Sequence, residues 1–145
     1  MVIYADTSFL VSLYGSDGNS LRANQAAQSL SRPFPWTELV RLECRNAFHL
    51  SQFRGELNPK QCGQLLDCLD EDRAAGILHP IALDWGAVYT LAEDIASSTT
   101  PTMGNRSLDI LHVASAKWLK ATVFLTFDLR QSPLARHVGM DVPDL

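Results

Sequence analysis

The chain has 145 residues, 46% of them apolar and 19% charged, with a net charge of −4 and a pI near 5.4. That length suits one domain over residues 1–145 with a real core, and the composition excludes the disordered class. The acidic balance excludes a protein that grips nucleic acid by bulk electrostatics alone, while a nuclease whose carboxylates hold a metal stays compatible with it.

No apolar run approaches the roughly 20 residues of a membrane span. Met1-Val2-Ile3-Tyr4-Ala5-Asp6 has no basic region ahead of its short apolar run, so a signal peptide is not expected. The expected setting is the cytoplasm, with no membrane partner. Cys44, Cys62 and Cys68 form an odd set at no metal-type spacing. On one helix Cys62 and Cys68 would project about 120° apart, too far round to bridge. All three are expected to be reduced and packed.

Taken in chain order, Val2–Ala5 reads as a buried strand of the parallel-sheet kind, ending at Asp6. Thr7 and Ser8 can cap a helix through Phe9–Tyr14. Gly15–Asn19 reads as a loop, and a second helical stretch runs from Ser20 to about Leu30. Arg32-Pro33-Phe34-Pro35-Trp36 is too rich in proline for a central strand and suits a very short or edge strand. Thr37 suits the N-cap of a third helix, with Leu39, Leu42, Ala47 and Leu50 on its apolar face. Asn58-Pro59 opens a fourth, whose Cys62, Leu65, Leu66 and Leu69 repeat at helical spacing until Gly76.

Ile77–Leu83 alternates enough for a strand. Asp84 caps a helix through Trp85, Val88, Leu91, Ala92 and Ile95, and residues 97–105 read as a polar loop. Ser107 caps a helix over Leu108–Leu119. Thr122–Thr126 is β-branched and apolar, the clearest central strand. A short helix over Pro133–His137 and an edge strand near Val138–Val142 close the chain. Strands and helices alternate throughout, which predicts an α/β domain with a mainly parallel central sheet flanked by helices.

Sites in open α/β sheets form beyond the carboxyl ends of the strands. Asp6 and Asp128 each follow a predicted strand, Asp109 lies in a first helical turn, and Glu43 lies about six residues into its helix. A fold that gathered these four would need a counterion, because close like charges repel. Hard carboxylate oxygens suit Mg²⁺ or Mn²⁺ and not zinc. Such ions activate water and neutralise charge on a phosphoryl group. Each acid alone has a plainer reading, as a turn residue or a helix-dipole partner.

The segments around these acids resemble the PIN domains, and among them the VapC-type toxins of toxin–antitoxin modules. The segments are Tyr4-Ala5-Asp6-Thr7-Ser8-Phe9-Leu10-Val11, Leu39-Val40-Arg41-Leu42-Glu43-Cys44-Arg45-Asn46-Ala47, Arg106-Ser107-Leu108-Asp109-Ile110-Leu111-His112-Val113-Ala114-Ser115-Ala116 and Phe124-Leu125-Thr126-Phe127-Asp128-Leu129-Arg130-Gln131. The resemblance implies a Mg²⁺- or Mn²⁺-dependent ribonuclease with Asp6, Glu43, Asp109 and Asp128 as metal-binding and catalytic acids. Water would attack the phosphodiester in line, leaving a 5′-phosphate and a 3′-hydroxyl, with Glu43 or Asp109 orienting it. Thr7, Ser8 and Thr126 are similar to the hydroxyl residues beside that cluster, and Phe127 departs from the asparagine many members carry. The resemblance also implies an RNA substrate, a small antitoxin protein as inhibitor, and a homodimer.

Arg106 and Arg130 flank two of the acids and suit either phosphate contacts or surface solubility. His112 is expected to be packed, and Trp85 and Trp118 fit core stripes. Arg22, Arg41 and Arg45 carry charge that an RNA path could use, and no role is assigned to them. Two other classes compete. One is a catalytically silent PIN-like module that binds RNA or protein. The other is a phosphatase of the haloacid-dehalogenase type with Asp6 as nucleophile, which would want an acid where Ser8 stands.

Overall fold

In a computed structural model the described residues are 1–31 and 33–145, so the Arg32 end of the proline-rich stretch lies outside them. They form two compact units. The first comprises residues 1–6 and 82–144, and the second residues 7–81 with Leu145.

The first unit holds strands β1 (Ile3–Ala5) and β4 (Val123–Leu125), and helices α5 (Trp85–Met103), α6 (Ser107–Trp118) and α7 (Gln131–His137). β1 and β4 pair in parallel with Tyr4 opposite Phe124. The two rings stack with centroids 5.3 Å apart, and all six strand residues are buried. Both strands therefore lack the apolar–polar alternation of a half-exposed strand, as parallel strands with two covered faces do. Helix α6 is buried without a break from Asp109 to Ala116.

The second unit holds α1 (Thr7–Tyr14), α2 (Ser20–Leu30), β2 (Phe34–Trp36), α3 (Glu38–Phe53), α4 (Pro59–Ala74) and β3 (Leu78–Pro80). β2 and β3 are also parallel, and Pro35 is tolerated because β2 is short and, among the described residues, pairs with β3 on one side only. Thr37 caps α3 by accepting the Val40 N–H, and Val40, Cys44 and Phe48 bury one stripe of it. Asn58 and Gln61 form a capping box at the start of α4, with Pro59 in its first turn.

The expected α/β class with parallel strands is what the chain adopts, as two parallel pairs. Several boundaries differ from the sequence expectation. Thr7 and Ser8 are already helical. The loop expected over 97–105 is instead mostly the end of α5, which continues to Met103. There the hydroxyls of Ser98 and Thr99 fold back onto the Ile95 carbonyl and that of Ser97 onto Asp94, so polar side chains sit in the helix without competing for its ladder. Gly104, at φ 65°, ends it in a left-handed cap.

Arg106 and not Ser107 is the residue before α6, and no side-chain cap bond forms there. The expected edge strand at 138–142 is reduced to one bridge between Val123 and Asp141. It follows α7 directly, and Gly139 turns the chain at φ 96°. Cys44 and Cys62 are buried thiols as expected, whereas Cys68 is exposed. Among the described residues no helix is long and apolar enough to cross a membrane.

Candidate active site: a carboxylate network beyond the β1–β4 strand ends

The β1–β4 register places Ala5 beside Leu125, and the ladder runs one step further, with the Asp6 N–H donating to the Leu125 carbonyl at 3.0 Å. Asp6 and Thr126 are thereby neighbours at the carboxyl ends of two parallel strands, where α/β folds place their sites. Both are buried, Asp6 with 0% exposure. The Thr126 hydroxyl donates to Asp6 Oδ2 at 2.5 Å. The Thr126 hydroxyl oxygen in turn accepts the Asp128 N–H at 2.9 Å. One threonine hydroxyl thus links two acids. Asp128 Oδ1 accepts the Arg130 N–H at 2.7 Å, a turn that holds the carboxylate in place.

Asp109, 5% exposed, sits in the first turn of α6, where the helix dipole favours a carboxylate. Arg106 folds forward onto it, Nε to Oδ2 at 3.0 Å and Nη2 to Oδ1 at 3.5 Å. Its Nη2 also lies 3.9 Å from Asp128 Oδ2. The hydrogen bond to Asp109, with the charge of Asp109 and then that of Asp128, pushes the Arg106 guanidinium above its ordinary range.

Asp6, Thr126, Asp128, Arg106 and Asp109 therefore form one continuous run of polar contacts within the first unit. Three carboxylates against one guanidinium leave a formal charge of −2, and Arg106 is the cation between Asp109 and Asp128. Among the described residues no three His, Cys, Asp or Glu side chains converge closely enough to hold a metal ion. The donor set is nonetheless hard oxygen with surplus negative charge, the chemistry that suits Mg²⁺ or Mn²⁺.

Glu43 belongs to the second unit. It is half-buried on α3 and accepts a hydrogen bond from the Thr7 hydroxyl at 3.0 Å. Ser8 is half-buried in α1, and Arg130 brings its backbone N–H to the site while its side chain is exposed. His112 is packed as expected, its Nδ1 2.9 Å from the Tyr4 hydroxyl. The bridging position of Arg106 was the feature least visible in the sequence. Its only sign is the Arg–Asp spacing of three residues at a helix start, which puts the two on one face.

Parallel strand pairs and flanking helices form a PIN-domain fold. Three solved structures share it. FitAcB from Neisseria gonorrhoeae superposes with a TM-score of 0.69 at 21% identity, covering 99% of this chain and 97% of that one. The sarcin–ricin loop cleaving toxin VapC20 of Mycobacterium tuberculosis gives 0.62 at 16% identity, over 90% and 93%. VapBC2 from Rickettsia felis, bound to a DNA fragment from their promoter, gives 0.69 at 14% identity, over 99% and 100%. No family model and no curated protein matches the sequence.

Proposed function

We propose that this chain, acting as a single PIN domain over residues 1–145, is a Mg²⁺- or Mn²⁺-dependent ribonuclease and the toxin of a toxin–antitoxin pair. The observation that carries the reading is the run of contacts joining Asp6, Asp128 and Asp109 at the carboxyl ends of β1 and β4. Bound there, the metal would supply a Lewis acid for activating water and for neutralising charge on the scissile phosphate. Asp6, Asp109 and Asp128 would draw together to hold it, Thr126 would fix the direction of the Asp6 carboxylate, and Arg106, released from Asp109 and Asp128, would take a phosphate oxygen. Glu43 is assigned to the same cluster on the resemblance of its helix alone.

FitAcB and VapBC2 support a small antitoxin protein as inhibitor, and VapC20 supports RNA as substrate. A homodimer in the cytoplasm completes the proposal. The test is cleavage of RNA in Mg²⁺ by wild type and Asp6→Asn. Wild type is expected to cut and the variant to lose cutting by at least about 100-fold, on the scale of losing one charge-stabilising group. Equal rates from the two would sink the mechanism.

One observation favours a second reading, a catalytically silent module. Arg106 already supplies positive charge to Asp109 and Asp128. Calorimetric titration with Mn²⁺ separates the two, because a module without a metal site gives no binding heat.

A further inference from the structure

Helices α3 and α4 of the second unit enclose an open groove of about 380 Å³, lined by Arg41, Leu42, Arg45, Asn46 and His49 from α3 and by Asp70 and Arg73 from α4. Three of the chain's 12 Lys and Arg residues meet here, so the groove is locally cationic on a molecule of net charge −4. Arg45 Nη1 is paired with Asp70 Oδ1 at 3.0 Å. Arg41 and Arg73 are exposed and, among the described residues, make no side-chain hydrogen bond or ion pair. Two guanidinium forks are therefore open to an anion.

The groove does not include Glu43. Successive helical residues turn by about 100°. Arg41, Arg45 and His49 thus form one stripe along α3, and Glu43 lies about 160° round the helix from both arginines. The two faces serve different chemistry on one helix.

We propose that this groove binds the phosphodiester backbone of single-stranded RNA, as an affinity site on the face of α3 turned away from Glu43. The inference rests on the ribonuclease reading for the choice of RNA. Arginine forks match phosphate oxygens in pairs. The remaining lining adds what a nucleotide has and an acidic peptide lacks a use for. The His49 ring offers a stacking surface, the Asn46 amide offers a donor and an acceptor for a base edge, and Leu42, 67% exposed, offers apolar contact. Asp70 is a built-in brake, since it occupies Arg45 and lowers the charge of the groove.

The test is fluorescence anisotropy with a labelled single-stranded RNA oligonucleotide in EDTA, which measures binding without cleavage. Arg41→Gln with Arg73→Gln is expected to weaken Kd about tenfold and to flatten the log–log salt dependence by about 1.4, since each of the two phosphates no longer neutralised accounts for ~0.7 of the slope. Arg41→Lys with Arg73→Lys keeps the charge and is expected to retain the salt slope. Asp70→Asn is expected to tighten binding, which a merely structural role would not do. The proposal is overturned if wild type shows no binding, if the glutamine pair leaves affinity and slope unchanged, or if polyglutamate of matched charge displaces the RNA as well as unlabelled RNA does. Failure of wild type to cleave RNA in Mg²⁺ would overturn the ribonuclease reading and leave the binding result standing.

Discussion

Thr126 carries more of the candidate site than its size suggests. Its hydroxyl donates to a fully buried carboxylate and accepts a backbone N–H two residues on. A β-branched residue at the end of a buried strand has a stiff χ1, so the hydroxyl is delivered in one direction. Thr126→Val keeps the shape and removes one donor from Asp6. Loss of one partner of a buried hydrogen bond costs about 1–3 kcal/mol, to be read as a lower urea midpoint. Thr126→Ser keeps the hydroxyl and should lose under about 1.5 kcal/mol, the scale of a deleted methyl group. A valine variant as stable as wild type would show that the bond to Asp6 contributes nothing net. That Asp6 and Asp128 each follow a strand was legible in the sequence, because Val2–Ala5 and Thr122–Thr126 are short, largely apolar runs. That one hydroxyl would serve two acids was not, since it depends on the register of β1 against β4.

Between elements, the contact of most consequence outside the site joins α1 to α4. The Tyr14 hydroxyl donates to Asp72 Oδ2 at 2.5 Å. Burial first, and then the hydrogen bond to the Asp72 carboxylate and its charge, push the Tyr14 phenol up from its ordinary 10.0. The folded chain therefore holds this proton more tightly than the unfolded one. The stabilisation is fully present below pH 10 and is lost as pH rises above it. Tyr14→Phe should cost about 1–2 kcal/mol at pH 7, as a part-buried bond to a charged acceptor does, and should lose less than wild type between pH 9 and 11. Thermal unfolding of both proteins across that range checks it, and parallel losses would place the alkaline sensitivity elsewhere. The helices themselves were readable where a side chain announces them: Thr37, Asn58 and Asp84 all accept the N–H expected of a cap. The end of α5 was not readable, because serines, threonines and Pro101 signal a loop locally. Their back-bonding to helix carbonyls appears only in three dimensions.

On the scale of the whole molecule, the chain carries net charge −4 yet gathers three carboxylates in one network, a charge arrangement that costs stability unless a cation meets it. Arg106 meets part of it. If Mg²⁺ binds the folded chain and not the unfolded one, it stabilises the protein by about 2.7 kcal/mol at a hundredfold excess over its Kd. The melting temperature of wild type should then rise with Mg²⁺, and Asp6→Asn should blunt that rise. Arg106→Gln should act in opposite directions on the two states. It removes the cation that contacts both Asp109 and Asp128, so the variant should melt below wild type in EDTA. For the same reason the carboxylates are freer to bind metal, so its Mg²⁺-induced rise should exceed that of wild type. Differential scanning fluorimetry with and without Mg²⁺ reads both arms. A variant that melts lower in EDTA but gains no more from Mg²⁺ than wild type would show that Arg106 and the metal do not share the same carboxylates.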